Sequence, residues 1–311
     1  GLVALRPTVQ RRAQLTLFDR TGVRLGAVGE PGPFRNFDWS PDGRAVVFAR
    51  PNPETGRQQL WIADVARGAT SLFVAADTNV NDPVWTADGR SVVFNLDGRE
   101  RRAVVMRPAM GGPDRELVAT DVQGSNVLTE DISRDGRWLA YLRQVWTPES
   151  STHFGALKRL DTEDPPVSFR PGGTPIAELH IAPDGRFVAW TDDSSGRFEV
   201  YVAPLPPGEQ RFQVSNAGGV QPRFREDGRE LFYLALDGTL MAVDIDLGDK
   251  LKAGTPQALF RLPLDEIEPG SDQYDAAPDG KRFLVPAVAT SPQDAPVSVL
   301  VNWPTLLDRT P

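Results

Sequence analysis

The sequence predicts an all-β fold, a six-bladed β-propeller of four-stranded antiparallel blades. Three observations carry that expectation. A phrase of apolar strand, Asp-Gly turn and second apolar strand occurs six times, as in Phe37 to Phe48. The turns begin at Asp42, Asp88, Asp135, Asp184, Asp227 and Asp279, so successive copies lie 46, 47, 49, 43 and 52 residues apart. Gly and Pro are plentiful at 28 each, as many short strands and turns require. A period in this range, with strands in every unit, is that of propeller blades.

In chain order, Leu2 to Leu5, Leu15 to Phe18 and Leu25 to Val28 read as three short strands. The last two resemble the outer half of a unit, so the N-terminus supplies the outer part of a blade whose inner part comes from elsewhere. Each full unit then runs strand A, the Asp-Gly turn, strand B, a loop, strand C, a turn and strand D. Gly accepts positive φ at the turn, and Asp bonds back to the backbone. In the first unit strand B, Ala45 to Ala49, is apolar throughout; later copies are Ser91 to Phe94, Trp138 to Tyr141, Phe187 to Trp190, Glu230 to Tyr233 and Arg282 to Val285. That pattern fits a strand covered on both faces. The third unit has the weakest outer half, with His153 to Lys158 as strand C and Val167 to Arg170 as strand D. Another strand spans Val297 to Trp303, and Pro304 to Pro311 is a helical turn or tail.

Five complete units supply twenty strands and three more lie toward each end, twenty-six in all. Six blades need twenty-four and seven need twenty-eight. Six follows the six signatures, with N- and C-terminal strands closing one blade; seven incomplete blades is the alternative. One repeat over residues 1–311 predicts a single propeller domain, monomeric on its own.

The 311-residue chain has no Cys, hence no disulfide and no thiolate metal site. A net charge of −8 disfavours nucleic acid as a partner, because phosphate contacts need clustered Lys and Arg. No apolar run approaches the roughly 18 residues of a membrane span. No signal peptide is visible. The first residue is Gly1 rather than Met, which points to a processed or excised chain whose targeting segment lies elsewhere.

Ser40-Pro41-Asp42-Gly43-Arg44, with the near copies Ala182 to Arg186 and Ala277 to Lys281, resembles the WD-type repeat of TolB-family propellers. The other three copies lack the Pro. A narrower resemblance covers most of the chain. It rests on Leu17 to Gly22, Gly196 to Val202, Gln213 to Ser215, Gln221 to Tyr233 and Val299 to Trp303. These look like the C-terminal extracytoplasmic propeller of bacterial membrane-anchored serine/threonine kinases. The Gly-rich loop, His-Arg-Asp and Asp-Phe-Gly motifs of the kinase part are absent from this sequence. The resemblance therefore implies a sensing or scaffolding module in an extracytoplasmic, periplasmic setting, and no kinase activity for this chain.

Catalytic motifs are missing as well. The two His, His153 and His180, fall in different units, and there is no Gly-x-Ser-x-Gly, His-Glu-x-x-His or calcium loop. No metal or cofactor is expected. Asp192 to Gly196 reads as a plain hairpin loop, and Arg99 to Arg102 as a solvated one.

The register of strand A is more informative. Six residues before each signature Asp stand Asn36, Asp82, Thr129, Glu178, Gln221 and Gln273, all polar. Four before stand Asp38, Val84, Asp131, His180, Arg223 and Asp275, and three before stand Trp39, Trp85, Ile132, Ile181, Phe224 and Ala276. Strand side chains alternate faces, so the polar rings line the central channel while the apolar ring packs between blades. Asp38, Asp82, Asp131, Glu178 and Asp275 set against Arg223 and His180 favour a cation or basic peptide segment. The simpler reading is a wet channel whose polar groups satisfy backbone donors. Trp146, in the loop after the third strand B with Val145 and Pro148, is either an exposed partner contact or a cap on its own blade. The expected function is binding of a protein, peptide or small polar ligand on one face. The alternative is a propeller lyase or hydrolase, or the gating propeller of a prolyl-oligopeptidase-like enzyme.

Overall fold

The computed structural model describes residues 2–5, 13–99, 101–120, 124–146, 151–169, 176–208, 210–248, 251–288 and 298–301. Pro148, Glu100, Arg170, Val297, Asn302, Trp303 and the tail 304–311, all named above, lie outside them. The described residues form strands and no helix, and none of them builds a helix long and apolar enough to cross a membrane.

Six antiparallel blades surround a channel. From the centre outward, blade 1 is Arg35–Trp39, Ala45–Pro51, Gln58–Asp64 and Thr70–Val74. Blades 2 to 5 repeat that order from inner strands Asn79–Trp85, Ser125–Ile132, Ile176–Ile181 and Val220–Phe224. Blade 6 joins the two chain regions: Asp275–Ala276 and Arg282–Val288 inside, Ala13–Asp19 and Arg24–Gly32 outside. Leu17 faces Leu284 and Asp19 faces Arg282 across that closure. Among the described residues no seventh blade forms.

The surplus in the strand count has a physical explanation. Leu2–Leu5 and Ser298–Val301 pair with each other as a separate two-stranded ribbon outside the blades. Leu251–Ala253 is an extra short strand on the end of Thr239–Leu247. In blade 3 the outer strand Val167–Phe169 is only three residues long, while its neighbour Ser151–Arg159 runs for nine.

The core is divided among six slabs, one in each gap between blades. Strand Ala45–Pro51 shows how. Val46 and Phe48 pack toward blade 6, with Leu15, Leu17 and Leu284. Val47 and Ala49 pack the other way, with Val80, Val92 and Phe94 of blade 2. All four are buried. A strand with both faces covered cannot afford polar alternation, which is why the middle of every strand B reads as an apolar run.

All six Asp-Gly turns share one geometry. The Asp carboxylate accepts the N–H two residues on, at 3.0 Å for Arg44, Arg90, Arg137 and Arg229 and 2.9 Å for Arg186 and Lys281. The six Gly lie at φ between +62° and +70°. Two of them separate backbone strain from steric conflict. A Cβ on Gly136 meets nothing within 4 Å, whereas on Gly280 it falls 2.3 Å from Arg225 Cδ. Gly136→Ala should therefore cost about 1 kcal/mol, the left-handed penalty alone. Gly280→Ala should cost clearly more, because Arg225 must leave its pairing with Glu230. Urea unfolding of both variants checks this; equal losses would show that the contact at Gly280 is immaterial.

Candidate functional site in the central channel

Five of the six inner strands enter the channel through a break in their ladder. Pairing shifts at Arg35/Phe37, Asn81/Val84, Thr129/Asp131, Ala177/His180 and Val220/Arg223. Asn36, Asp82, Glu178 and Gln221 sit at these breaks with φ of +35°, +50°, +55° and +57°. These are β-bulges, which re-aim a side chain at the cost of local pairing. Asn and Asp tolerate the left-handed region, but Glu and Gln there cost about 1 kcal/mol each. Alternation alone therefore does not set the polar ring; the bulge does.

Nine of the eleven predicted channel residues fall into two cavities along the axis. Asp38, Asp131, His180, Arg223 and Asp275 line a cavity of about 160 Å³ on the face of the Asp-Gly turns. Asn36, Asp82, Thr129, Glu178 and again His180 line a smaller one of about 90 Å³ toward the other end. Gln221 and Gln273 line neither. They join blades 5 and 6, Gln273 N–H donating to Gln221 Oε1 at 2.8 Å and Gln221 Nε2 to Gln273 Oε1 at 3.1 Å.

Many channel carboxylates also fasten one blade to the next. Asp275 accepts the Trp39 N–H at 3.1 Å, Asp38 that of Trp85 at 2.6 Å, and Asp131 that of Ile181 at 2.7 Å. Where the preceding blade offers Val84 or Arg223 instead of an acid, the next blade uses its own: Asp131 caps Ile132 and Asp275 caps Ala276. Deeper in, Glu130 accepts from Leu179 N–H at 2.9 Å and Glu178 from Gln221 N–H at 2.8 Å. Asn36 donates to Asp82.

Three acids were missed by the sequence reading: Glu130, Asp272 and Glu226, the last beside the signature Asp227 and lining the mouth. Glu130 stands one place after the polar ring because the third bulge falls one residue later. The register did carry a signal, since the other blades have Phe37, Pro83, Leu179, Pro222 and Tyr274 there. Asp272 comes from the connection before blade 6 and lines both cavities.

The electrostatics follow from this crowding. Burial, then the Asp275 charge, raises Asp38 well above the ordinary carboxyl range. Burial, then Asp272, pushes Asp82 up to about 7. Burial is also the main cause of the rises at Glu130, Glu178 and Asp275. Burial and the neighbouring Arg223 push the His180 imidazole down, although its Nδ1 lies 3.5 Å from Asp131. Arg223 is buried and paired with Asp272 and, at 3.6 Å, with Asp275. Among the described residues no group of three His, Cys, Asp or Glu has a metal-holding arrangement.

Outside the channel, three readings change. Trp146 ends the nine-residue strand Trp138–Trp146 rather than lying in a loop; it is 39% exposed, with the Arg102 guanidinium over its ring at 5.6 Å. Arg102 itself pairs with Asp97 at 2.8 Å and so is no free solvated charge. Asp192 is fully buried at the end of Phe187–Asp192, accepting from Trp190 Nε1 and Arg211 at 2.8 Å each. It is an anchor for that hairpin, not a plain loop residue.

The raised carboxyls make stability depend on pH with a definite sign. A carboxyl that binds its proton more tightly folded than unfolded contributes stability below its unfolded pKa, and this is lost as pH rises through its folded pKa. For Asp82 that window runs from 3.8 to about 7. The unfolding free energy should therefore fall from about pH 4 to about pH 7, and Asp82→Asn should flatten the fall by up to about 1.4 kcal/mol per pH unit. Denaturant midpoints across that range measure it, and an unchanged slope in the variant would count against the assignment.

The chain matches no protein-family model. It is 28% identical over 173 residues to a Bacillus subtilis (strain 168) protein named "Uncharacterized peptidase YuxL", a match covering 53% of this chain and 23% of that protein. The chain thus aligns with less than a quarter of that relative's length. A structure described as TolB from Agrobacterium tumefaciens superposes with a TM-score of 0.61 at 15% identity, over 88% of this chain and 97% of that one. An oligogalacturonate lyase in complex with manganese superposes with a TM-score of 0.58 at 12% identity, over 96% of both chains. Identities this low establish the fold alone: the chain is a six-bladed propeller of the shape found in TolB.

Proposed function

We propose that this propeller is a non-catalytic binding module. Its channel mouth on the Asp-Gly face receives a cationic group of a peptide, protein or small polar ligand. The observation that carries this reading is the composition of the mouth. Asp38, Glu130, Asp131, Glu226, Asp272 and Asp275 line it against Arg134, His180 and Arg223. Arg134 is spent on Glu226 at 3.0 Å and Arg223 on Asp272 and Asp275. Once ionised, concentrated acid in a low-dielectric recess attracts an organic cation and speeds its capture; because burial raises the proton affinity of Asp38, Glu130 and Asp275, that capture strengthens as pH rises. Neither His is hydrogen-bonded to a Ser or Thr among the described residues, so nothing at the mouth resembles an activated nucleophile. The setting we favour is the extracytoplasmic sensor or scaffold of a bacterial membrane-anchored kinase, or a periplasmic TolB-type protein.

Titration of short Lys- or Arg-containing peptides, followed by tryptophan fluorescence and calorimetry, tests the reading. Binding should weaken as salt rises, and Asp131→Asn should lower affinity by about tenfold, the scale of one lost charge-assisted contact. Acidic peptides binding as well as basic ones would sink it.

A second reading is supported by the peptidase-named relative: the propeller of a hydrolytic enzyme. Turnover of chromogenic peptide substrates by the longest natural chain carrying this propeller would favour it over the first.

A further inference from the structure

The connection between blades 5 and 6 runs from Arg261 to Asp275, at the channel end opposite the Asp-Gly turns. Its base is apolar. Leu264 and Ile267 pack against the core shared by blades 5 and 6, beside buried Leu262 and Tyr274. Its tip is polar and enters the channel, where Gly270 and Asp272 line the smaller cavity.

The tip, Glu268-Pro269-Gly270-Ser271, is a tight turn. Ser271 N–H donates to the Glu268 carbonyl at 3.3 Å, and Gly270 has φ +83°. Pro followed by a positive-φ Gly is the type II pattern. Three bonds from two blades hold the turn in place. Gly270 N–H donates to Glu178 Oε1 of blade 4 at 2.5 Å. Gln221 Nε2 of blade 5 donates to the Glu268 carbonyl at 3.3 Å. The Arg223 guanidinium, also of blade 5, is paired with Asp272. Asp272 stands near the axis: its charge bears on Asp82, Glu130, His180, Arg223 and Asp275, one group from each of blades 2 to 6.

An ordinary strand connection has no reason to spend a carboxylate, a buried Arg and a left-handed Glu178 on holding its tip across a channel. We propose that residues 266–272 are a plug that closes this end of the channel, latched by Glu178 on Gly270 and by Arg223 on Asp272. The channel is then a blind pocket reached from the Asp-Gly face alone. A chain cannot thread the propeller; only a group that fits the mouth cavity of about 160 Å³ is admitted. This holds whether or not the mouth binds a cation.

The absence of Cys allows a direct test. Thr129 lines the far cavity, and its hydroxyl has no partner, so Thr129→Cys sacrifices no hydrogen bond. Its alkylation by a bulky maleimide should be slow with the latch intact. It should become at least about tenfold faster when Glu178→Gln or Asp272→Asn is added, because access then follows local opening of the loop. Thermal unfolding of each variant confirms that the blades remain folded. If a variant does not fold, amide exchange in the unsubstituted protein decides instead: protection of Gly270 and Gln273 comparable to the inner strands is expected. Fast maleimide labelling with the latch intact, equal rates in folded variants, or unprotected amides at Gly270 and Gln273 would overturn the plug.

Discussion

The structure depends on how one blade is tied to the next at the channel. The slabs of core between blades are apolar and non-directional. They hold blades together without fixing how far each is rotated about the axis. The directional element is a carboxylate reaching across the gap to a backbone N–H: Asp275 to Trp39, Asp38 to Trp85, Asp131 to Ile181, Glu178 to Gln221. Each satisfies an inner-strand amide that faces away from its own blade and would otherwise be a buried, unpaired donor. The unpaired edge of the innermost strand and the acid of the preceding blade are thus two halves of one device.

That device has an electrostatic consequence. Carboxylates recruited for structure from several blades converge on one narrow axis. Burial and mutual repulsion raise their proton affinities, and Arg223 compensates only part of the charge. The channel is acidic because closing a ring of blades this way gathers acids at its centre. A binding site for a cation can arise from that surplus without any residue being dedicated to it. The structural and functional readings of the ring are therefore compatible. The same Asp38 that holds Trp85 N–H at 2.6 Å also lines the mouth.

The junction between blades 2 and 3 is built differently. Val84 stands where other blades carry an acid or a basic group, and no channel carboxylate crosses that gap among the described residues. The apolar slab formed by Val93, Val104, Val127, Leu139 and Tyr141 carries the contact instead. At its outer edge the Arg102 guanidinium reaches the Ser125 carbonyl at 3.1 Å and stacks on Trp146. Trp146 thus belongs to the fastening of blade 2 to blade 3, whatever else its exposed edge contacts.

The sequence by itself determined the architecture. Six Asp-Gly turns in register, each followed by an apolar run, fix six hairpins, because turn chemistry and two-sided burial are local properties visible in a dozen residues. It also determined which positions of strand A are polar. Only the tertiary structure decided what those polar groups do. That Asp131 caps its own strand and the next blade at once depends on a neighbour fifty residues away. The extra ribbon of Leu2–Leu5 and Ser298–Val301 unites the two ends of the chain, and no local pattern announces it. Asp272 was invisible for the same reason: it lies in an irregular connection, outside the repeat, and reaches the axis only because Glu178 and Arg223 from other strands hold it there. Local chemistry repeats and can be counted; contacts across the ring depend on closure, which no single stretch of sequence contains.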